Sequence, residues 1–261
     1  MTDHTSDVVL VEVSDRIGTI TINRPEARNA LSSEVLQALP AAVTQLEGDD
    51  DVDVMILTGT DPAFSAGLDL RELGDSGGNL GGTGTTHRGP FPDHTKPLIG
   101  AVNGVAVTGG FELALCCDFL IASEHAQFAD THARVGVMPG WGLTVLLPQA
   151  IGVRRARELS LTGNYLDAKT AEAWGLVNRV VPHDELIPTV RGLASDIIGN
   201  DQPGVRQILA TYEATAGTTV DEAWTIERDR GRAWLRDSEF TPDRVAQRRA
   251  AIQARGRSQQ S

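Results

Sequence analysis

Apolar positions alternate with polar or small ones over Val8 to Val13 and again over Ile17 to Ile22, on either side of Ser14-Asp15-Arg16. A period of two reads as strand, and the short polar break between the two runs predicts a β-hairpin. The pattern then changes period. Ser32 or Ser33 can cap a helix in which Val35, Leu36, Leu39, Val43 and Leu46 fall near helical spacing, with Pro40 predicting a kink or an early stop. Short buried strands are predicted at Val54 to Thr58, Ile99 to Val102 and Phe119 to Ala122. The last two are separated by an apolar segment that begins at Gly109-Gly110. Strands and helices therefore alternate through the first half, an α/β pattern. After about Tyr165 only Val177 to Val181 reads as strand, and helical patterns cover 185–198, 205–215, 220–236 and 242–255. This divides the chain into a core, residues 1–200, and a C-terminal helical region, residues 201–261.

With 41% apolar residues, the 261-residue chain has enough material for a sizeable core. Cys116 and Cys117 are adjacent in an apolar stretch, which suits buried thiols in a reducing compartment; cytoplasm is the expected location. The polar, acidic start is unlike a signal peptide, and no apolar run approaches membrane-spanning length. A net charge of −12, from 35 acidic and 23 basic side chains, argues against nucleic acid as a partner. It leaves room for a small polyanion at a locally basic mouth. The last helix carries Arg244, Arg248, Arg249 and Arg255, read either as a solvated face or as a docking surface for a neighbouring subunit, and the tail from Arg255 to Ser261 is polar enough to fray. Leu73 to Gly89 holds seven of the 27 glycines without apolar period and reads as a loop. Its Gly81 to Thr86 stretch lacks the preceding strand and following lysine of a phosphate cradle.

Two segments carry candidate chemistry: Phe64-Ser65-Ala66-Gly67-Leu68-Asp69-Leu70-Arg71-Glu72, and Ala101 to Ala114, which includes Thr108-Gly109-Gly110-Phe111-Glu112. Each places glycine just after a predicted strand, where a ligand can approach the main chain and free amides can be offered to a developing negative charge. Glu112 lies one helical turn beyond Gly109, on the same face. Asp130, His132 and His125 do not make an organised metal set, so no metal is expected.

Taken in order with Asn23-Arg24-Pro25, Asn29-Ala30-Leu31, Ala126-Gln127-Phe128, Gly136, Pro139-Gly140, Leu161-Thr162-Gly163 and Ala171 to Val177, these segments resemble the enoyl-CoA hydratase/isomerase (crotonase) family over nearly the whole chain. The resemblance implies a spiral of ββα units followed by a C-terminal helical oligomerisation region that builds a homotrimer or a dimer of trimers. It implies an acyl-CoA lyase or isomerase, hydratase-like first of all. Isomerisation, thioester hydrolysis, decarboxylation and a non-catalytic acyl-CoA-binding role remain as alternatives. The amides of Leu68 and Gly109 would bind the thioester oxygen and Glu112 would move a proton. Ala66, Asp69 and Leu70 would line the CoA site, with Arg28 and Arg71 near its phosphates; no cofactor beyond the CoA thioester substrate is implied. The chain departs from the family pattern in three places. His132 stands where many hydratases carry a second carboxylate, and is either a proton carrier titrating near about 6.5 or a histidine hydrogen-bonded to Asp130 or Glu112. Trp141 replaces a small residue of the acyl-pocket region and either reshapes that pocket or belongs to the core. The usual C-terminal motif is absent around Pro242 to Arg249.

Overall fold

The computed structural model describes residues 7–75, 89–236 and 242–258. They form two compact units, Met1–Asn200 and Asp201–Ser261. The first opens with a hairpin of β1 (Val9–Ser14) and β2 (Ile17–Ile22), whose turn residues Asp15 and Arg16 adopt φ of 53° and 62°. Helix α1 (Ser33–Glu47) follows, capped by the Ser32 hydroxyl on the Val35 amide. It does not stop at Pro40. Its buried stripe of Val35, Leu36, Leu39, Ala42, Val43 and Leu46 holds both halves against the core, outweighing the ~3 kcal/mol that an interior proline costs.

The chain then turns three times through a strand, a second strand and a helix: β3 (Val54–Gly59), β4 (Ala63–Ser65) and α2 (Leu70–Asp75); β5 (Leu98–Val102), β6 (Val105–Val107) and α3 (Gly109–Leu115); β7 (Phe119–Ser123), β8 (Gln127–Ala129) and α4 (His132–Val135). The first strand of each turn joins one sheet, ordered β1-β2-β3-β5-β7-β10, and the second joins another, ordered β4-β6-β8-β9. Pairing along β2-β3-β5-β7 and along β4-β6-β8 is parallel, so successive turns stack in register as the expected ββα spiral. Helices α5 (Leu143–Ile151) and α6 (Val153–Thr162), strand β9 (Leu166–Asp167), helix α7 (Ala168–Trp174), strand β10 (Arg179–Val181) and helix α8 (Leu186–Ile198) complete the unit.

Both faces of the large sheet are covered at its centre, so β3, β5 and β7 read as nearly continuous apolar runs, whereas the hairpin strands β1 and β2 alternate. Ile20, Met55, Leu57 and Leu120 pack inward with α1 and α3, while Ile17, Val54, Ile56, Ile99 and Ile121 meet Leu186, Val190 and Ala194 of α8. A buried lysine closes α1. Lys96 Nζ donates to the carbonyls of Leu46 and Asp49, each at 2.6 Å, supplying donors that the helix end lacks.

The second unit comprises α9 (Gln202–Thr215), α10 (Val220–Arg236) and α11 (Pro242–Ser258). Asp201 caps α9 through the Gly204 amide and also receives Arg248 of α11 at 3.4 Å. Between α9 and α10 lies a cavity of about 390 Å³ lined by Ile208, Tyr212 and Trp234 among others. The tail expected to fray from Arg255 is helical as far as Ser258, and residues 259–261 lie outside the described residues. The glycine-rich loop expected at Leu73 to Gly89 begins instead as the end of α2, and its residues 76–88 lie outside the described residues. Among the described residues no helix is long and apolar enough to cross a membrane.

Candidate functional site

The first candidate segment is held by the stretch after β2. The Leu31 amide donates to Gly67 O at 2.8 Å and the Asp69 amide donates to Leu31 O at 3.1 Å, a one-residue parallel bridge that grips Leu68 from both sides. The bridge uses the neighbours of the Leu68 amide and leaves that N–H pointing away; among the described residues it has no acceptor. Buried Asn29 anchors the stretch, its Nδ2 donating to Thr60 O and Ala63 O while its Oδ1 accepts from the Arg24 amide. Arg24 then bridges Ala30 O at 2.7 Å and Asp69 Oδ2 at 3.0 Å. Asp69 Oδ1 accepts from the Arg71 amide. Burial pushes the Asp69 carboxyl up, but Arg24 and two backbone amides prevail and hold it below its usual range. Both Asp69 oxygens are thus engaged within the protein.

The second segment meets the first at their glycines. Gly67, at φ +82°, packs so closely that a Cβ there would lie 2.7 Å from Val107 O and 3.4 Å from the Gly109 nitrogen. Thr108, a β-branched residue at φ 53° and ψ −120°, makes the turn into α3; its amide donates to Ala129 O and its hydroxyl meets Thr131 Oγ1 at 2.5 Å. Backbone of this kind costs about 1–3 kcal/mol and persists only where its surroundings enforce it. Its result is that the Gly109 N–H opens α3, with no acceptor among the described residues. The two candidate donors are brought together.

Glu112, one turn along α3, is buried at 2% exposure. Its Oε1 accepts from the amides of Trp141 at 2.7 Å and Leu143 at 3.3 Å, and its Oε2 lies 3.4 Å from His132 Nε2. The other ring nitrogen, Nδ1, lies 2.6 Å from Asp130 Oδ1, which also accepts the His132 amide at 3.2 Å. Of the two partners weighed from the sequence, Asp130 makes the hydrogen bond, while Glu112 faces the other ring nitrogen at ion-pair distance. Burial pulls the imidazole down, yet the hydrogen bonds and negative charges of Asp130 and Glu112 outweigh it and raise it to about 9. The expected titration near 6.5 is corrected upward, because the ring lies between two carboxylates. Asp130 is itself pushed up by burial and brought below its ordinary value by His132 and the Ser160 hydroxyl.

Trp141 is half-buried, its indole against Gly109: a Cβ on that glycine would lie 3.0 Å from Cζ3 and 3.2 Å from Leu31 Cδ1. The ring packs against the core and also lies over the Cα of Gly109. Ala66 is half-buried and donates its amide to Arg28 O, while Leu70, Arg71 and the Arg28 side chain are exposed around the same segment. Arg24 and Thr108 carry the geometry without having been singled out from the sequence. Asp130 entered there as a possible partner of His132, and the structure makes it that partner. Among the described residues no group of three or more His, Cys, Asp or Glu side chains is placed to hold a metal ion.

Comparison with known proteins gives one consistent result. The family model for enoyl-CoA hydratase/isomerase matches residues 12–239. A probable peroxisomal enoyl-CoA hydratase 1 of Arabidopsis thaliana is 37% identical over 97% of both chains. A crotonyl-CoA hydratase of Syntrophomonas wolfei is 36% identical over 85% of this chain and 87% of its own. Among solved structures, one enoyl-CoA hydratase of Mycobacterium tuberculosis is 50% identical with a TM-score of 0.75, covering 87% of this chain and 98% of its own. A second from that organism, at 33% identity, reaches a TM-score of 0.83 over 95% and 97%.

Proposed function

Because the chain belongs to the enoyl-CoA hydratase/isomerase family and is a hydratase-like enzyme of it, we propose that it adds water across the 2,3-double bond of an enoyl-CoA, using the Leu68 and Gly109 amides as the oxyanion hole. Polarising the thioester oxygen with two fixed N–H donors makes the β-carbon electrophilic and stabilises the enolate that follows attack. Glu112 takes the proton of the attacking water, and His132, charged at neutral pH, returns one to the α-carbon. The observation that carries this reading is the pairing of a buried carboxylate, held on one oxygen by two amides, with an imidazole 3.4 Å from the other. A base and an acid of opposite charge suit syn addition as two carboxyls sharing one proton would.

The same reading gives the CoA to the main chain around Ala66 to Leu70. Arg28 and Arg71 lie at hand for its phosphates, and Asp69 braces the segment through Arg24. Trp141 forms a wall of the acyl pocket. The chemistry so assigned calls for no cofactor beyond the thioester itself, since amides carry the charge and side chains the proton. A homotrimer or dimer of trimers built through the second unit is part of the proposal; Ile208, Tyr212 and Trp224, each more than half exposed, speak for it. So is cytoplasmic residence, favoured by the free thiols of Cys116 and Cys117. The test is a panel of 2-enoyl-, 3-enoyl-, branched and saturated acyl-CoA thioesters. Turnover is expected on a 2-enoyl-CoA with a 3-hydroxyacyl-CoA as product. Saturable binding without turnover on any thioester would replace the enzyme by a binding protein.

A further inference from the structure

His132 is held from behind as well as faced from in front. Asp130 Oδ1 accepts two hydrogen bonds from the same residue, one from Nδ1 at 2.6 Å and one from the main-chain amide at 3.2 Å, which fixes both the ring's position and its rotation. Asp130 is 2% exposed, lies just after β8, and is engaged from α6 by the Ser160 hydroxyl. From this geometry we infer that Asp130 is a positioning residue that keeps a proton on His132 Nδ1 and aims Nε2 at Glu112, so that the two catalytic side chains pass a single proton between them in each turnover. The inference rests on the reading of Glu112 and His132 as catalytic groups.

The reason lies in the tautomers. A neutral imidazole carries one N–H, and which nitrogen bears it is set by the partner of the other. At the start of a cycle Glu112 is a carboxylate and His132 an imidazolium. As water oxygen bonds to the β-carbon, Glu112 takes the water proton and the double-bond electron pair moves onto the thioester oxygen. When that pair returns to the α-carbon, the His132 Nε2–H bond breaks and the proton goes to carbon. Enoyl-CoA and water have become 3-hydroxyacyl-CoA, and the enzyme holds protonated Glu112 beside neutral His132. With Asp130 keeping the remaining proton on Nδ1, Nε2 is a bare acceptor facing Glu112 Oε2 across 3.4 Å. The carboxyl proton crosses, and the starting state returns with no net proton exchanged with solvent. Without Asp130 the neutral ring is free to carry its proton on Nε2 and offer Glu112 no acceptor.

The charges facing His132 are Asp130 at the end of β8 and Glu112 on α3. Arg134, on the ring's own short helix, is turned to Thr162 O and Asn164. The Cys116 thiol beyond Glu112 stays neutral, pushed up to about 12 by burial and by Glu112.

Asp130→Asn tests the assignment, with Asp130→Glu as the conservative control and Ser160→Ala as a milder perturbation should the first variant fail to fold. Nitrogen-15 NMR of the histidine rings, with His132 identified by its loss in His132→Gln, reports protonation and tautomer without needing turnover. In the wild type the ring is expected to titrate near about 9, and in Asp130→Asn to fall toward the free value of about 6.5. The alkaline limb of kcat should move with it. Turnover at pH 8 then drops about thirtyfold while that at pH 6 stays within about threefold and KM is unchanged, and Asp130→Glu recovers part of the limb. An equal loss at every pH would make Asp130 a packing residue and overturn the inference. A wild-type His132 titrating near 6.5, or a limb that stays in place while the NMR titration moves, would overturn it as well. Absence of wild-type turnover on every enoyl-CoA would instead overturn the hydratase reading, while the NMR arm still decides whether Asp130 sets the tautomer.

Discussion

Replacing Glu112 in two ways separates its chemistry from its hold on the fold. Oε1 is the acceptor for the Trp141 and Leu143 amides, and Oε2 faces His132. Glu112→Ala removes both functions. It leaves two backbone N–H groups without their acceptor, each costing about 1–3 kcal/mol where it stays buried. The expected loss is about 2–6 kcal/mol, or roughly 5–20 °C in Tm for a unit of this size. Glu112→Gln keeps a carbonyl oxygen for the two amides and turns its NH2 toward Nε2, where a neutral His132, still donating Nδ1–H to Asp130, accepts it. Its stability cost should be no more than about 1–2 kcal/mol, from the lost attraction to an imidazolium. Turnover should fall about 10²–10⁴-fold in both variants, because neither retains a base. The assay is hydration of crotonyl-CoA, followed by loss of the conjugated thioester's ultraviolet absorbance, alongside thermal unfolding. The reasoning is refuted if Glu112→Gln unfolds as easily as Glu112→Ala, or if the glutamine variant turns over at the wild-type rate.

His132 binds its proton more tightly when folded, at about 9 against about 6.5 unfolded. It should therefore contribute stability that is complete below about 6.5 and is lost as pH rises through 9, at most about 3 kcal/mol. The Tm difference between wild type and His132→Gln, scanned from pH 6 to 10, should shrink across that window. Lys96→Met keeps the apolar stem and removes the donors to Leu46 O and Asp49 O. A loss of about 2–5 kcal/mol in urea unfolding is expected, and a change under 1 kcal/mol would show that solvent replaces them. Trp141→Ala opens space over Gly109 and should raise the kcat/KM ratio for an eight-carbon over a four-carbon enoyl-CoA by about tenfold or more. An unchanged ratio would assign the indole to the core alone.

The large sheet was legible because five of its six strands are five or six residues long and either alternate, as Ile17–Ile22 does, or are mostly apolar, as Val54–Gly59 is. The second sheet was not. Its strands Ala63–Ser65, Val105–Val107, Gln127–Ala129 and Leu166–Asp167 are two or three residues long, too short for any period to appear. The early stop offered at Pro40 fails because a local penalty was weighed without the six buried side chains that oppose it. In the site, Glu112, His132, Leu68 and Gly109 came from ordered motifs, and the structure gathers them. Arginine roles were harder to read: Arg24 makes the internal bridge, whereas Arg28 offers its carbonyl and leaves its side chain exposed. Which of two arginines four residues apart turns inward depends on the left-handed backbone at Arg28 and Asn29, which no spacing reveals. The elevated proton affinity of His132 likewise needs two carboxylates from different elements to converge.

Each turn of the spiral delivers one element of the site just past its short second strand: Leu68 after β4, Gly109 and Glu112 after β6, His132 after β8. The parallel pairing of those three strands works as a ruler, spacing the deliveries by one strand separation of about 4.8 Å whatever the side chains are. A lineage can therefore exchange the contribution of one turn and inherit the other two in place. Histidine with its aspartate, standing where the family resemblance implies a carboxylate, would be such an exchange confined to the third turn. Chimeras that swap only the 130–136 segment between this chain and a relative should accordingly trade proton chemistry while leaving thioester affinity where it was.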